Sequence, residues 1–425
     1  MVARNGGRGG AFEAIDDAVG QVHDRRGFRP EQPRAPEPPI DLGEWDAGLD
    51  DEPIAPRGWL LGNLFCREFL SSLLGDGATG KTAVRIACAL ALATGRHDIV
   101  GEHVFERCRV LYLSFEDGRE ELRRRVRAAE IHHGVSKADT EGYLFLAAIS
   151  RSDLKLAMQR RNGDVIAGKL GAAVEKAIER RGVDVVIMDP LIKTHGVQEN
   201  DNNALDLVAE ILSGLATKYG IAIDVPHHTR KGGSADPGNA DVGRGASALK
   251  DAGRLVYTLT KMSEADAEIF AVPEADRYQY VRMDSAKVNI APAAKSARWF
   301  KLVGVEIGNG NQAYPKGDTV QSVERWTPAD LWKVVTDLIA NQILDRIEMG
   351  PSPSRRYSAD GRAKDRAAWP VVAEICPALT EAQCREVIKT WLLNGDRRFL
   401  QAKEYSPKGS DKERGLFVVA RPGWV

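Results

Sequence analysis

Residues 75–82 read Gly75-Asp76-Gly77-Ala78-Thr79-Gly80-Lys81-Thr82, a full GxxxxGK[ST], and their neighbours matter as much as the motif itself. The run Phe69-Leu70-Ser71-Ser72-Leu73-Leu74 before it is short and apolar enough for a buried strand, and residues 82–94 continue as an apolar helix. A strand entering a glycine turn that opens a helix turns successive backbone N–H groups inward, and the helix N-terminus adds partial positive charge. Such a turn cradles the β-phosphate of a nucleoside triphosphate, with Lys81 reaching the β- and γ-phosphates and Thr82 offering a hydroxyl to Mg²⁺. A glycine turn carrying a chance lysine is the bland alternative, and the strand and helix on either side count against it.

The same alternation continues along the chain. Residues 69–74, 110–115, 183–188 and 221–225 read as buried strands, and residues 82–94, 120–133, 170–181 and 204–219 as helices, which predicts an α/β domain with a mainly parallel sheet covered on both faces. Asp189 emerges from the apolar run Val185-Val186-Ile187-Met188, and Pro190 stops the strand behind it. An acid leaving so apolar a strand needs a cation or a hydrogen bond beside it, so Asp189 is the expected metal-side carboxylate, against a turn or cap aspartate as the plainer reading. Glu116 and Asp117 follow the run Leu111-Tyr112-Leu113-Ser114-Phe115 at the edge where open α/β sheets place ligands. Glu116 is the expected catalytic base, with Asp117 its rival, since either acid can instead cap the helix beginning near Arg119.

Composition bounds the rest. The chain has 425 residues, 43% hydrophobic and 28% charged, with net charge −1, so any affinity for nucleic acid has to be local. Five cysteines contain no CxxC pair, which argues against a zinc knuckle or a dithiol redox centre and for buried thiols in a reducing compartment. The longest apolar run, residues 86–93, is far too short to span a bilayer, and residues 1–11 are Gly/Arg-rich with no apolar segment, so no membrane partner and a cytoplasmic location are expected. Seven of the 20 prolines fall within residues 30–56. Residues 1–56 are therefore expected to be a disordered or Pro-rich segment, with at most a short helix over residues 11–23. An ATPase core over 57–325 follows, its later part strand-rich at residues 255–259, 278–283 and 299–307. A helical connector and linker then covers 326–368, and a small α+β domain 369–425.

The motifs together resemble the RepA-type hexameric replicative helicases of plasmids, within the RecA/DnaB-like P-loop ATPases of the AAA_25 group. The segments that carry the likeness are GDGATGKT at 75–82, LSFED at 113–117, VVIMDPLIKTH at 185–195, ENDNN at 199–203, VPHHTRKGG at 225–233 and GRGASALKDAGR at 243–254. The resemblance implies a RecA-like core, Glu116 as catalytic glutamate, and the pair His227 and His228 as γ-phosphate sensor, although paired histidines are as readily core or turn residues. It implies that Arg254 enters a neighbouring subunit's nucleotide site as an arginine finger, where without the family a surface ion pair with Asp251 is the simpler reading. Lys287 is similar to a second cationic finger, but Asn289 stands where DnaB-like proteins carry an arginine, which puts a two-cation arrangement in doubt. The basic, glycine-rich stretch between His228 and Gly245 suits either a DNA-facing loop in a central channel or an ordinary surface loop.

Residues 351–425 hold 14 Lys/Arg against 9 Asp/Glu. Helices at 369–376 and 381–393, then strands at 400–405 and 415–420 around a basic tip, resemble a winged helix. Arg385, Lys389, Lys403, Lys408, Lys412 and Arg414 are its candidate DNA contacts, and a protein partner is the competing reading. The expected function is an ATP- and Mg²⁺-dependent, ring-forming motor on single-stranded DNA that serves replication of a plasmid, prophage or other mobile element. Its partners would be copies of itself, as a hexamer, and duplex DNA or a replication protein at the C-terminal domain. The alternatives are an ATP-gated recombination or regulatory ATPase without unwinding, and a DNA-binding regulator whose ATP site controls assembly.

Overall fold

The computed structural model describes residues 43–423 apart from 161, 199–200, 230–236, 243–251, 293, 295, 329, 394–396 and 408–411. The helix expected over 11–23 and most of the basic stretch between His228 and Gly245 lie outside these. The chain divides into two units, Met1–Pro56 and Arg57–Val425. In the first, residues 43–56 are exposed, with a turn where Asp46 accepts from the Gly48 N–H.

The second unit opens with a small antiparallel pair, β1 (Trp59–Leu61) and β2 (Phe65–Cys66). The phosphate-motif unit follows as β3 (Leu70–Gly75) and α1 (Lys81–Thr94). Next come β4 (Val110–Ser114), α2 (Arg119–His133), the short α3 (Lys137–Thr140), β5 (Leu144–Ala148), β6 (Ala157–Gln159), β7 (Val165–Ala167), α4 (Leu170–Arg181) and β8 (Val185–Asp189). Then α5 (Asn202–Tyr219), β9 (Ala222–Asp224), β10 (His227–His228), β11 (Leu255–Lys261), α6 (Glu264–Phe270), β12 (Tyr280–Val288), β13 (Arg298–Glu306) and β14 (Thr319–Trp326) complete the core.

One sheet organises it, in the order β14-β13-β12-β11-β3-β9-β8-β4-β5, with β10 also beside β3. Strands β11, β3, β9, β8, β4 and β5 run parallel, and β12, β13 and β14 extend the sheet antiparallel. Helix α1 is buried along nearly its whole length on one face, as its alanine- and leucine-rich sequence requires. Helices α4 and α5 cover the other with Leu170, Val174, Ile178, Val208 and Leu212. Each such side chain contributes about 1.5–3 kcal/mol by leaving water. The architecture is α/β with a mostly parallel central sheet, as a phosphate-binding core requires.

Beyond the sheet lie α7 (Leu331–Val334), α8 (Asp337–Met349), α9 (Trp369–Ile375), α10 (Glu381–Leu392), β15 (Leu400–Tyr405) and β16 (Glu413–Val418). Val335, Ile343, Ile347, Val372, Val387, Trp391, Leu400 and Leu416 share one apolar core, so α8, expected in a connector, packs with the C-terminal elements. The Leu416 N–H donates to Tyr357 O at 2.8 Å, adding a third strand-like segment to the β15–β16 hairpin.

Candidate active site

The phosphate turn is built from the side of the sheet where β3 ends. Gly80 has φ +89°, a left-handed conformation, and a Cβ there would lie 2.7 Å from Leu302 Cδ2. A Cβ on Gly75 would meet Leu259 O at 2.7 Å, so β11 closes against the turn and leaves no room for a side chain. Lys81 Nζ donates to the carbonyls of Gly75 and Asp76, both at 2.7 Å, and stands 3.4 Å from His228 Nδ1. Burial lowers the Lys81 ammonium to about 8, against the pull of Asp189, Asp76 and Glu116. Thr79 Oγ1 donates to Asp76 O, and Thr229 Oγ1 donates to the Asp76 carboxylate, tying the turn to the end of β10.

Asp189, nearly buried at the end of β8, accepts from Thr82 Oγ1 at 2.8 Å and from Tyr112 OH at 2.7 Å, both on Oδ2. An aliphatic hydroxyl and a carboxylate side by side are a hard-oxygen donor pair suited to Mg²⁺, and they fit the role expected of Thr82 and Asp189. Tyr112 is a component that sequence reading passes over. It sits in an apolar strand and resembles core until its hydroxyl is seen on Asp189. Burial, with Asp189 beside it, pushes its hydroxyl well above the ordinary value, so it stays a donor.

Glu116 and Asp117 separate. Asp117 pairs with Arg125 Nε at 2.7 Å, while half-exposed Glu116 faces the phosphate turn, with Oε1 3.9 Å from His228 Nε2. The two histidines separate as well, because neighbouring strand residues point to opposite faces. His228 lies between Lys81 and Glu116, whereas His227 is buried and influences His195, a further buried histidine whose imidazole is lowered to about 4 by burial and by His227.

Arg254 and Lys287 are somewhere else. Arg254 precedes β11, its N–H donating to Leu70 O and its carbonyl accepting from the Asn289 N–H, both at 3.1 Å. Lys287 is opposite Val256 on the next strand. Leu255 aligns with Ser71 and Val256 with Ser72, so Arg254 is level with Leu70 at the start of β3, five residues or roughly 17 Å of strand from Gly75, and Lys287 is level with Ser72, three residues or roughly 10 Å from it. Arg254 therefore stands at the strand ends opposite the phosphate turn, away from the other site residues of its own chain.

One further pair was not legible in advance. Arg85, one turn into α1, makes a two-pronged ion pair with Asp224 of β9 at 2.8 and 2.7 Å, both side chains fully buried, and Ser71 Oγ donates to the same carboxylate. Burial works against the Arg85 charge and Asp224 more than offsets it, holding the guanidinium above its ordinary value.

In the C-terminal elements, Arg385 pairs with Glu381 and Lys389 with Glu386 of the same helix, and Thr380 Oγ1 donates to Glu268 O of α6 at 3.5 Å. The first turn of α10 therefore rests on the ATPase core. Lys403, Lys412 and Arg414 stand on or beside the hairpin, and Lys408 lies outside the described residues. Among the described residues no helix is long and apolar enough to cross a membrane, and no His, Cys, Asp or Glu cluster of metal-site size occurs.

With this geometry in place, residues 36–234 match the AAA_25 family model, described as an AAA domain. The match contains the phosphate turn, Glu116, Asp189 and both histidines, and gives the chain a P-loop ATPase domain of the RecA/DnaB-like group over those residues.

Proposed function

We propose that the protein is an ATP-driven, ring-forming motor on single-stranded DNA, serving replication of a plasmid, prophage or other mobile element. The observation that carries this reading is the separation of Arg254 from the phosphate turn of its own chain. A cation at the opposite strand ends reaches a γ-phosphate only in a neighbouring copy, which makes hydrolysis depend on assembly. The likeness of the motifs between residues 74 and 254 to RepA-type helicases supports the hexamer and the replicative role.

In this reading the backbone N–H groups of residues 75–82 hold ATP, and Lys81 leaves the carbonyls of Gly75 and Asp76 for the β- and γ-phosphates. Thr82 and Asp189 hold Mg²⁺, whose charge draws electron density from the phosphate oxygens when bound. Glu116 takes a proton from water as the water oxygen bonds to the γ-phosphorus. The bond from that phosphorus to the β–γ bridging oxygen breaks, and ADP leaves with its electron pair. Arg254 of the neighbour stabilises the charge that develops, and His228, between Lys81 and Glu116, registers loss of the phosphate.

The order of α8, α9, α10 and the β15–β16 hairpin supports a winged-helix-like module for duplex DNA or a replication protein. Its seating on α6 favours, as a second reading, an ATP-gated recombination or regulatory ATPase that releases α10 without unwinding DNA. Strand displacement separates the two. The assembled protein with ATP is expected to unwind a forked duplex, and Glu116→Gln to abolish it. ATP turnover without displacement on forks of either polarity would overturn the motor and leave the switch.

A further inference from the structure

The strands β6 and β7 pair only with each other, as a hairpin apart from the main sheet. Backbone bonds clamp it to the segment just after Asp189: Leu156 N–H to Thr194 O at 2.7 Å, Gly196 N–H to Ala157 O at 2.8 Å, and Gln159 N–H to Gly196 O at 3.4 Å. Arg160 opens the hairpin turn and is exposed, Lys193 is exposed on the clamped segment, and Lys155 Nζ donates to Lys193 O. None of these three cations has an ion-pair partner among the described residues. Four arginines of α2 differ: Arg123 pairs with Glu120, Arg124 with Asp318, Arg125 with Asp117 and Arg127 with Glu130.

We propose that this hairpin, with Lys155, Arg160 and Lys193, is a contact surface for the phosphate backbone of single-stranded DNA. The inference rests on the motor reading for its biological setting, and adds an element that the expected loop after His228 does not include. The acids nearby are engaged by other side chains, Asp153 by Arg151 and Asp164 by Asn162, so like charges remain that repel one another, and a polyanion is a partner that relieves them. Lys155 feels this already, lowered first by burial and then by Lys193. Met158, 39% exposed on the same hairpin, offers an apolar face that suits an unstacked base better than a closed duplex. The position also connects to the nucleotide. His195, inside the clamped segment, lies beside His227, and His227 shares β10 with His228.

The test is the full-length double variant Arg160→Glu/Lys193→Glu, titrated with a single-stranded oligonucleotide by fluorescence anisotropy between low and moderate salt. We expect DNA-free ATP turnover to be retained, affinity to fall roughly tenfold or more, and the salt slope to become shallower by about 0.7 per lost contact in each engaged subunit. Should charge reversal disturb folding, Arg160→Ala/Lys193→Gln is expected to give the same changes at smaller size. Wild-type affinity and slope in both variants would overturn the proposal. So would lost self-association at unchanged DNA affinity, since the cations would then face an acidic surface of another copy. Strand displacement by the wild type with unaltered binding by the variants rejects the hairpin alone. Hairpin-dependent DNA binding with no displacement rejects the motor and leaves the hairpin standing.

Discussion

Glu116 and Asp117 are adjacent acids at the same strand end, and their side chains have different partners. Asp117 is held by Arg125 of α2, so it fastens a helix, whereas Glu116 is directed toward Lys81 and His228. Removing a general base costs about a hundredfold or more in turnover, while an exposed or half-buried ion pair contributes about 0–1 kcal/mol. Glu116→Gln is therefore expected to bind ATP and to lose turnover by at least about a hundredfold, and Asp117→Asn to stay within about threefold of wild type. A phosphate-release assay on the two variants checks this, and equal losses would remove the distinction. Sequence made the residue types and their strand-end positions legible, because a glycine turn and an acid after an apolar run are local signals. It favoured Glu116 over Asp117 as the base but could not choose between His227 and His228, because that choice depends on which face of the sheet each side chain meets. Tyr112 was hidden for a related reason: a buried tyrosine and a hydrogen-bonding tyrosine look alike in an apolar strand.

Elements that are buried on both faces were the plainest in the sequence. The runs leading to β3, β4, β8 and β9 are continuous and apolar because helices cover both sides of the sheet. Strand β14, Thr-Val-Gln-Ser-Val-Glu-Arg-Trp, escaped the sequence reading because its polar positions break the apolar run, whereas the edge strand β5, Leu-Phe-Leu-Ala-Ala, is apolar throughout and was passed over as well. The Arg85–Asp224 pair was equally invisible, being a contact between a helix and a strand 139 residues apart. It joins the helix that carries Lys81 to the strand that leads to His227 and His228, so the phosphate turn and the histidine segment share one rigid tie. Removing one partner leaves an uncompensated buried charge, which costs about 3–5 kcal/mol, whereas replacing both with apolar groups of similar volume is often neutral. Asp224→Ala is expected to lower stability by about that amount in urea unfolding, and Arg85→Met/Asp224→Leu to recover most of it. A loss under about 1 kcal/mol in the single variant would show that water or a neighbour compensates Arg85 and that the tie is weak.

The Arg57–Val425 unit has its phosphate turn at one end of β3 and Arg254 level with the other, a polarity that suits head-to-tail assembly. A heterologous interface of this kind closes into a ring when its rotation permits, and each site then draws on two copies. Two inactive variants should consequently rescue each other. In the proposed ring, Arg254→Ala would keep Glu116 and Lys81 and lack only what it gives its neighbour, while Glu116→Gln would keep Arg254 and lack only its own base. Mixed in equal amounts and allowed to exchange, roughly a quarter of the sites pair the intact base of one with the intact arginine of the other. Turnover is expected to rise in the mixture well above either variant alone and to fall again on dilution, measured as phosphate release against total protein. A mixture no more active than its components, under conditions where subunits demonstrably exchange, would mean that each chain hydrolyses ATP with its own residues, and Arg254 would then serve as surface charge.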